Sequence, residues 1–317
     1  MKGVFLDITS LDRGDLDLNN LRKVLTDWQF YSHTGAEVLN YRLRDAEVVI
    51  VNKVILDASA LKCATKLKLI CIAATGTNNV DLQAASNQGV VVTNIQGYAN
   101  NSVAQHVFAL ILCLYRNLNQ YQNAITRGDW HRSSIFCLLD YPIMDLQGKT
   151  LGIIGYGELG KSVAKLAECL GMKICIAKYH DTDVGKQYVE LDEVIRTSDI
   201  LSLHCPLTDK TRNLIDEGEL QQMKQSALLI NTARGGIVNE AALAKALQQG
   251  WIAGAGIDVL ETEPPDGSSP LMSDLKNLVL TPHIAWASQD ARQKIVDQLF
   301  SIISAYKKDE VINQVNK

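Results

Sequence analysis

Short runs of valine, isoleucine and leucine recur through the first hundred residues, separated by stretches with a helical rhythm of apolar and polar positions. Residues 3–7, 46–51, 67–73 and 90–93 have the continuous apolar character of strands buried on both faces. Between them, residues 57–65 and 82–88 have helical spacing, and Gly89 supplies a stop for the second. Strands alternating with helices predict parallel β-α-β units. A long helix is expected from Ser102 to about Arg127, with Asn100, Asn101 and Ser102 as N-cap candidates and Gly128 as terminator. Its first half is apolar nearly all round, which predicts burial between domains or between subunits. Residues 129–147 have neither rhythm. A second β-α-β series runs from Lys149 to about Ile284, and residues 288–307 read as an amphipathic helix.

The second series opens with a chemical signal. The strand-like run 150–154 leads directly into Gly155-Tyr156-Gly157-Glu158-Leu159-Gly160. A helix follows, with Val163, Ala164, Ala167 and Leu170 on one face and Gly171 as its stop, and then a strand over 173–177. A G-x-G-x-x-G between strand and helix, inside a unit of about 30 residues, is the fingerprint of a dinucleotide site. Gly155 permits the tight turn, Gly157 lets backbone approach a pyrophosphate, and Gly160 lets helix and strand pack closely. The helix N-terminus offers free N–H groups to the phosphates. An NAD site would carry an acid at the end of the second strand. Here that place holds Lys178-Tyr179-His180, with no carboxylate before Asp181. A lysine cannot accept the ribose hydroxyl but can pair with a 2′-phosphate, so the cofactor is expected to be NAD or NADP, leaning to NADP.

Composition narrows the class. The 317 residues suggest two domains, and 47% hydrophobic with 21% charged residues is ordinary for a soluble protein. The net charge of −4, from 31 basic and 35 acidic residues, gives no sign of a nucleic-acid or membrane partner. Seven cysteines include no C-x-x-C pair, so neither a zinc site nor a dithiol motif is expected. The first residues do not read as a signal peptide, and the expected location is cytoplasmic.

Three segments place reactive side chains just beyond predicted strands, where open α/β sheets bind ligands. One run ends in Arg234-Gly235-Gly236, another carries Asp258, Glu261 and Glu263 before two prolines, and a third brings His283 after Thr281-Pro282. Arginine suits a planar carboxylate, and a histidine held by a carboxylate is a suitable proton donor. The other histidines, His33, His106, His131, His180 and His204, read as structural, with His106 on the apolar helix a core or interface residue.

These segments, with Asn52-Lys53, the 73–81 run around Thr75-Gly76, residues 102–110, Gly128-Asp129-Trp130, Asp140-Tyr141-Pro142, His204-Cys205-Pro206-Leu207 and the 281–287 run ending Trp286-Ala287, resemble the D-isomer-specific 2-hydroxyacid dehydrogenases over nearly the whole chain. The 281–287 run is especially similar to the hydroxypyruvate reductase (glycerate dehydrogenase) branch. The resemblance implies an α/β fold of two doubly wound parallel-sheet domains. A Rossmann nucleotide-binding domain, residues 99–287, would be inserted into a flavodoxin-like substrate domain, residues 1–98 and 288–317, with the active site between them. It implies Arg234, Glu263 and His283 as catalytic, and Thr75, Gly76, Arg234 and His283 as substrate-binding. Gly155, Gly157, Glu158, Leu159, Gly160, Lys178, Cys205, Pro206, Thr232, Ala233, Asp258 and Thr75 would bind the cofactor. It further implies a homodimer, no metal, and a small D-2-hydroxy acid or 2-keto acid as substrate, with D-glycerate/hydroxypyruvate and glyoxylate foremost. A phosphoglycerate dehydrogenase-like enzyme and an NAD(H)-sensing co-repressor of the same fold are the alternatives.

Overall fold

The computed structural model describes residues 1–178, 185 and 188–316. Within it the chain forms two compact units, Met1–Tyr98 with Ala287–Lys317, and Ala99–Trp286.

In the first unit the strands are β1 (Lys2–Phe5), β2 (Asp27–Phe30), β3 (Val48–Val51), β4 (Leu69–Ile72) and β5 (Val91–Thr93). They alternate with α1 (Asn19–Val24), α2 (Ala36–Leu43), α3 (Ala58–Cys63) and α4 (Leu82–Asn87). All pairings are parallel, in the order β2-β1-β3-β4-β5, the doubly wound arrangement of flavodoxin-like sheets. β3 and β4 are buried at every residue, as their unbroken apolar runs require. Val4, Val49, Ile70 and Ile72 build the core on the side of α2–α4.

The second unit opens with α5 (Asn100–Tyr115) and α6 (Leu118–Thr126). Its sheet is built from β6 (Thr150–Ile154), β7 (Lys173–Ala177), β8 (Tyr188–Val189), β9 (Ile200–Leu203), β10 (Leu228–Asn231), β11 (Gly254–Ile257) and β12 (Leu278–Leu280). The connecting helices are α7 (Glu158–Cys169), α8 (Leu191–Thr197), α9 (Glu217–Gln222) and α10 (Glu240–Gln249). The parallel order β12-β11-β10-β9-β6-β7-β8 reverses direction at β6, beside β9. Such a switch point leaves a crevice at the carboxyl ends of the two strands. The last helix, α11 (Gln289–Tyr306), returns to the first unit, where Arg292 forms a two-nitrogen ion pair with Asp15.

Two expectations need correction. The helix foreseen over 102–127 is two helices, because Asn117 takes a left-handed backbone (φ 49°) between α5 and α6. Asparagine tolerates that conformation better than most residues, and Gly128 (φ 79°) then ends α6. Strand β2 was not foreseen at all. It is an edge strand whose residues alternate between exposed and half-buried, so no apolar run marks it. Tyr179, His180 and Asp181, weighed above as part of the cofactor-selecting position, lie outside the described residues.

Candidate active site

The glycine loop sits at the switch point, between the end of β6 and the start of α7. Two of its three glycines are required by close approaches, and the third borders open space. Gly155 has φ 96°, and a Cβ there would come within 2.5 Å of the Cys205 backbone nitrogen. Gly160 lies so close beneath it that a Cβ would meet the Gly155 carbonyl oxygen at 2.3 Å. A Cβ on Gly157 would meet nothing within 4 Å, which leaves open space over the helix N-terminus. Glu158 stands exposed in the first turn of α7 and Leu159 is half-buried beside it.

The neighbouring strand ends carry polar atoms awaiting partners. His204 Nδ1 and Thr232 Oγ1 are buried and have no hydrogen-bond partner among the described residues. His204 Nε2 lies 2.9 Å from Ser202 Oγ, and burial holds the His204 pKa down at about 4. Burial also pushes the Cys205 thiol up, so Cys205 is no thiolate nucleophile at neutral pH. Pro206 follows, its carbonyl accepting from Thr211 Oγ1 at 2.6 Å. A cradle of glycines, a free helix N-terminus and two orphan polar groups fit a dinucleotide.

At the end of β7, Lys178 donates its backbone N–H to Val189 at 2.8 Å, and its ammonium lies 3.9 Å from Glu190. On the other side of the switch point, the loops after β10, β11 and β12 carry Arg234, Glu263 and His283. Asn231 braces the first of these loops, accepting from the Ala233 N–H and donating to the Arg234 carbonyl. The Arg234 guanidinium is exposed, with Nη1 on the Ala233 carbonyl at 2.7 Å. Gly235 is pressed onto the next loop, because a Cβ there would lie 1.9 Å from the Leu260 carbonyl oxygen. From that loop Glu263 accepts the Leu260 N–H through Oε1 at 2.9 Å and faces His283 Nδ1 through Oε2 at 2.6 Å. A carboxylate only accepts, so His283 Nδ1 carries a proton and Nε2 is the nitrogen left for a reactant.

The His283 loop wraps a buried carboxylate. Asp258, 1% exposed, accepts from Thr281 Oγ1 and the Ile284 N–H through Oδ1 and from the Ala285 N–H through Oδ2. Burial alone would raise its pKa. The hydrogen bonds from His106, Thr281 and the two amides outweigh that and hold it below the ordinary carboxylate value. His283 itself has φ 54°, a left-handed backbone unusual for a side chain of its size.

Thr75 and Gly76 belong to the first unit, just past β4. There Thr75 Oγ1 donates to the Ile95 carbonyl at 2.9 Å, and Asn94 donates to the Thr75 carbonyl at 2.8 Å. In the same unit Asp7, 4% exposed, accepts from the backbone N–H groups of Asn52, Lys53 and Val54, a brace the sequence did not reveal. Among the described residues no group of three or more His, Cys, Asp or Glu is arranged to hold a metal, and no helix is long and apolar enough to cross a membrane.

Residues 108–285 match the family described as D-isomer specific 2-hydroxyacid dehydrogenase, NAD binding domain. The chain is 47% identical over 309 residues to the glycerate dehydrogenase of Methylorubrum extorquens, covering 96% of each. It is 34% identical over 325 residues to the hydroxypyruvate reductase of Blautia hydrogenotrophica, covering all of both. Among solved structures it is similar to an acyclic imino acid reductase in complex with NADPH and D-Arg, with TM-score 0.87 and 29% identity over 99% of this chain and 100% of that one. The fold, the dinucleotide loop and this likeness define an oxidoreductase of two parallel α/β domains. The chain belongs to the D-isomer specific 2-hydroxyacid dehydrogenases.

Proposed function

We propose that this enzyme interconverts a small 2-keto acid and its D-2-hydroxy acid, with hydroxypyruvate/D-glycerate and glyoxylate as the foremost substrates. The observation that carries this is the 2.6 Å contact between His283 Nδ1 and Glu263, on the strand-end side of the sheet that also bears Arg234. Arg234 pairs the substrate carboxylate with its planar guanidinium and draws charge from the adjacent carbonyl. A nicotinamide cofactor held at the Gly155–Gly160 loop would supply the hydride that the carbonyl carbon receives. Protonated His283 gives its Nε2 proton to the developing alkoxide, so a neutral hydroxyl is released. Glu263 keeps the ring oriented and balances the imidazolium, as a carboxylate does in a catalytic triad. The second unit, residues 99–286, would be the nucleotide-binding part. The test is a kinetic screen of hydroxypyruvate, glyoxylate and pyruvate with NADH and NADPH. Hydroxypyruvate or glyoxylate should give the highest kcat/KM, and no turnover with any combination would refute the reading in favour of a nucleotide sensor.

For the cofactor, NADPH should serve at least as well as NADH. Lys178 puts positive charge where an acid would otherwise repel a 2′-phosphate. An exposed lysine–phosphate pair contributes on the order of 1 kcal/mol, or about fivefold in affinity. Glu190, at 3.9 Å, competes for the same ammonium and caps the gain. Lys178→Asp should therefore shift preference toward NADH, chiefly through the cofactor KM. A wild-type preference for NADH of about tenfold or more in kcat/KM would overturn the assignment.

A homodimer is the expected assembly. Most apolar residues of α5 are covered within their own unit, although Leu112 is exposed. Large apolar side chains are also exposed just downstream, at Leu118, Ile125, Trp130, Phe136 and Leu139, with Phe136 89% exposed. A patch of this kind marks a protein contact. Light scattering at micromolar concentration should give twice the chain mass of 34.9 kDa, and the mass of a single chain would refute the dimer.

A further inference from the structure

The loop that presents His283 is gripped at both ends by one helix. Ser102 and His106 stand four residues apart on α5, and that spacing puts them on one face of the helix. Ser102 Oγ donates to the Ala285 carbonyl at 2.7 Å, at the far end of the loop. His106 Nε2 lies 3.0 Å from Thr281 Oγ1 and 3.5 Å from Asp258 Oδ1, at its near end. Hydrogen-bond capacity fixes the direction of the chain. Asp258 can only accept, so the single Thr281 hydroxyl proton points to Asp258, 2.5 Å away. The Thr281 oxygen must then accept, and His106 Nε2 is the donor.

We propose that Ser102 and His106 are positioning residues for His283, holding the loop 281–285 so that its acid/base imidazole meets the substrate. This rests on the role given to His283 above. The loop needs such a hold because His283 has a left-handed backbone (φ 54°), which persists only where the surroundings over-determine it. Asp258 secures the loop from inside through the Thr281 hydroxyl and the Ile284 and Ala285 amides, and α5 closes the other side. Neither α5 residue touches the reacting atoms in this assignment. Both act through the placement of His283, to which rate is sensitive because a displacement of about 1 Å can lower it by about 10²-fold.

The test compares wild type with His106→Leu, His106→Gln and Ser102→Ala by steady-state kinetics and cofactor affinity, with concentrations corrected by cofactor titration. His106→Leu should lower kcat by about 10- to 100-fold, while the KM for the keto acid and the Kd for the cofactor change by no more than about threefold. The solvent deuterium isotope effect on kcat should grow, because proton delivery becomes slower than in the wild type. His106→Gln keeps an N–H donor of similar reach and should recover most of the rate, which lost packing alone would not explain. Ser102→Ala should cost several-fold in kcat. A kcat for His106→Leu within twofold of wild type, or a His106→Gln variant as slow as the leucine variant, would overturn the proposal. Should His106→Leu fail to fold, an unchanged kcat in Ser102→Ala overturns it equally. If the wild type reduces no 2-keto acid, the functional reading itself fails and this proposal with it. An active wild type with unaffected variants removes this proposal alone.

Discussion

Alanine in place of His283 is expected to lower kcat by about 10² to 10⁴, the usual contribution of a positioned general acid, while the protein still folds and binds cofactor. The imidazole is a partly exposed side chain on a loop, paired with Glu263 at 2.6 Å, so its removal leaves no cavity in the core. Arg234→Ala should lose turnover on the same scale, because the exposed guanidinium is the cation that would polarise the carbonyl and hold the carboxylate. Glu263→Gln should be milder. The amide retains an acceptor for His283 Nδ1 but not the charge that balances the imidazolium in the transition state. Circular dichroism and cofactor titration separate these effects from misfolding. A loss of only a few-fold in both alanine variants would refute the assigned roles.

Gly235→Ala should be more damaging than its one added methyl group suggests. The new Cβ would lie 1.9 Å from the Leu260 oxygen, 2.1 Å from its carbonyl carbon and 2.5 Å from the Glu261 nitrogen. All three are backbone atoms, so no side chain can rotate out of the way and the two loops must part. The loop that moves carries Glu263, whose Oε1 is anchored on the Leu260 N–H, and the loop that resists carries Arg234. Overpacking of this kind costs about 1–3 kcal/mol, or about 2–4 °C in Tm per kcal/mol for a unit of this size. The loss in kcat/KM should reach about 10², because the parts of the site shift relative to one another. Gly218→Ala is the control. It lies within α9, where a Cβ would meet nothing within 4 Å, and alanine there should leave both Tm and kcat/KM unimpaired. Equal behaviour of the two variants would count against the close approach at Gly235.

What was legible in the sequence follows from the range over which each signal acts. The buried central strands announce themselves through runs such as Val48–Val51 and Leu69–Ile72, because burial on both faces leaves no place for polar residues. The glycine loop is legible because its geometry is local to one turn. Arg234, Glu263 and His283 could be nominated because each follows a strand, where loops reach the ligand side of the sheet. Strand β2 was not legible, since an edge strand open to solvent needs no apolar run. Nor was the break at Asn117, where asparagine adopts a left-handed backbone without glycine or proline to announce it. The hold of His106 and Ser102 on the 281–285 loop joins residues about 180 positions apart in the chain, and only tertiary packing creates it. Asp258 shows the same limit. Its place after a strand was legible, but not that the carboxylate serves as the inner anchor of the His283 loop.

The order of strands in the second unit also bears on how such an enzyme can diverge. Lys178 follows β7, whereas Arg234, Glu263 and His283 follow β10, β11 and β12, with β6 and β9 lying between. Three strand spacings of about 4.8 Å put roughly 14 Å between the nearest of these strands. Substitutions at that separation act independently for the most part. On the roles proposed above, descendants of this chain would exchange one nicotinamide cofactor for the other by drift at a single strand end, while the proposed proton-transfer residues are inherited intact.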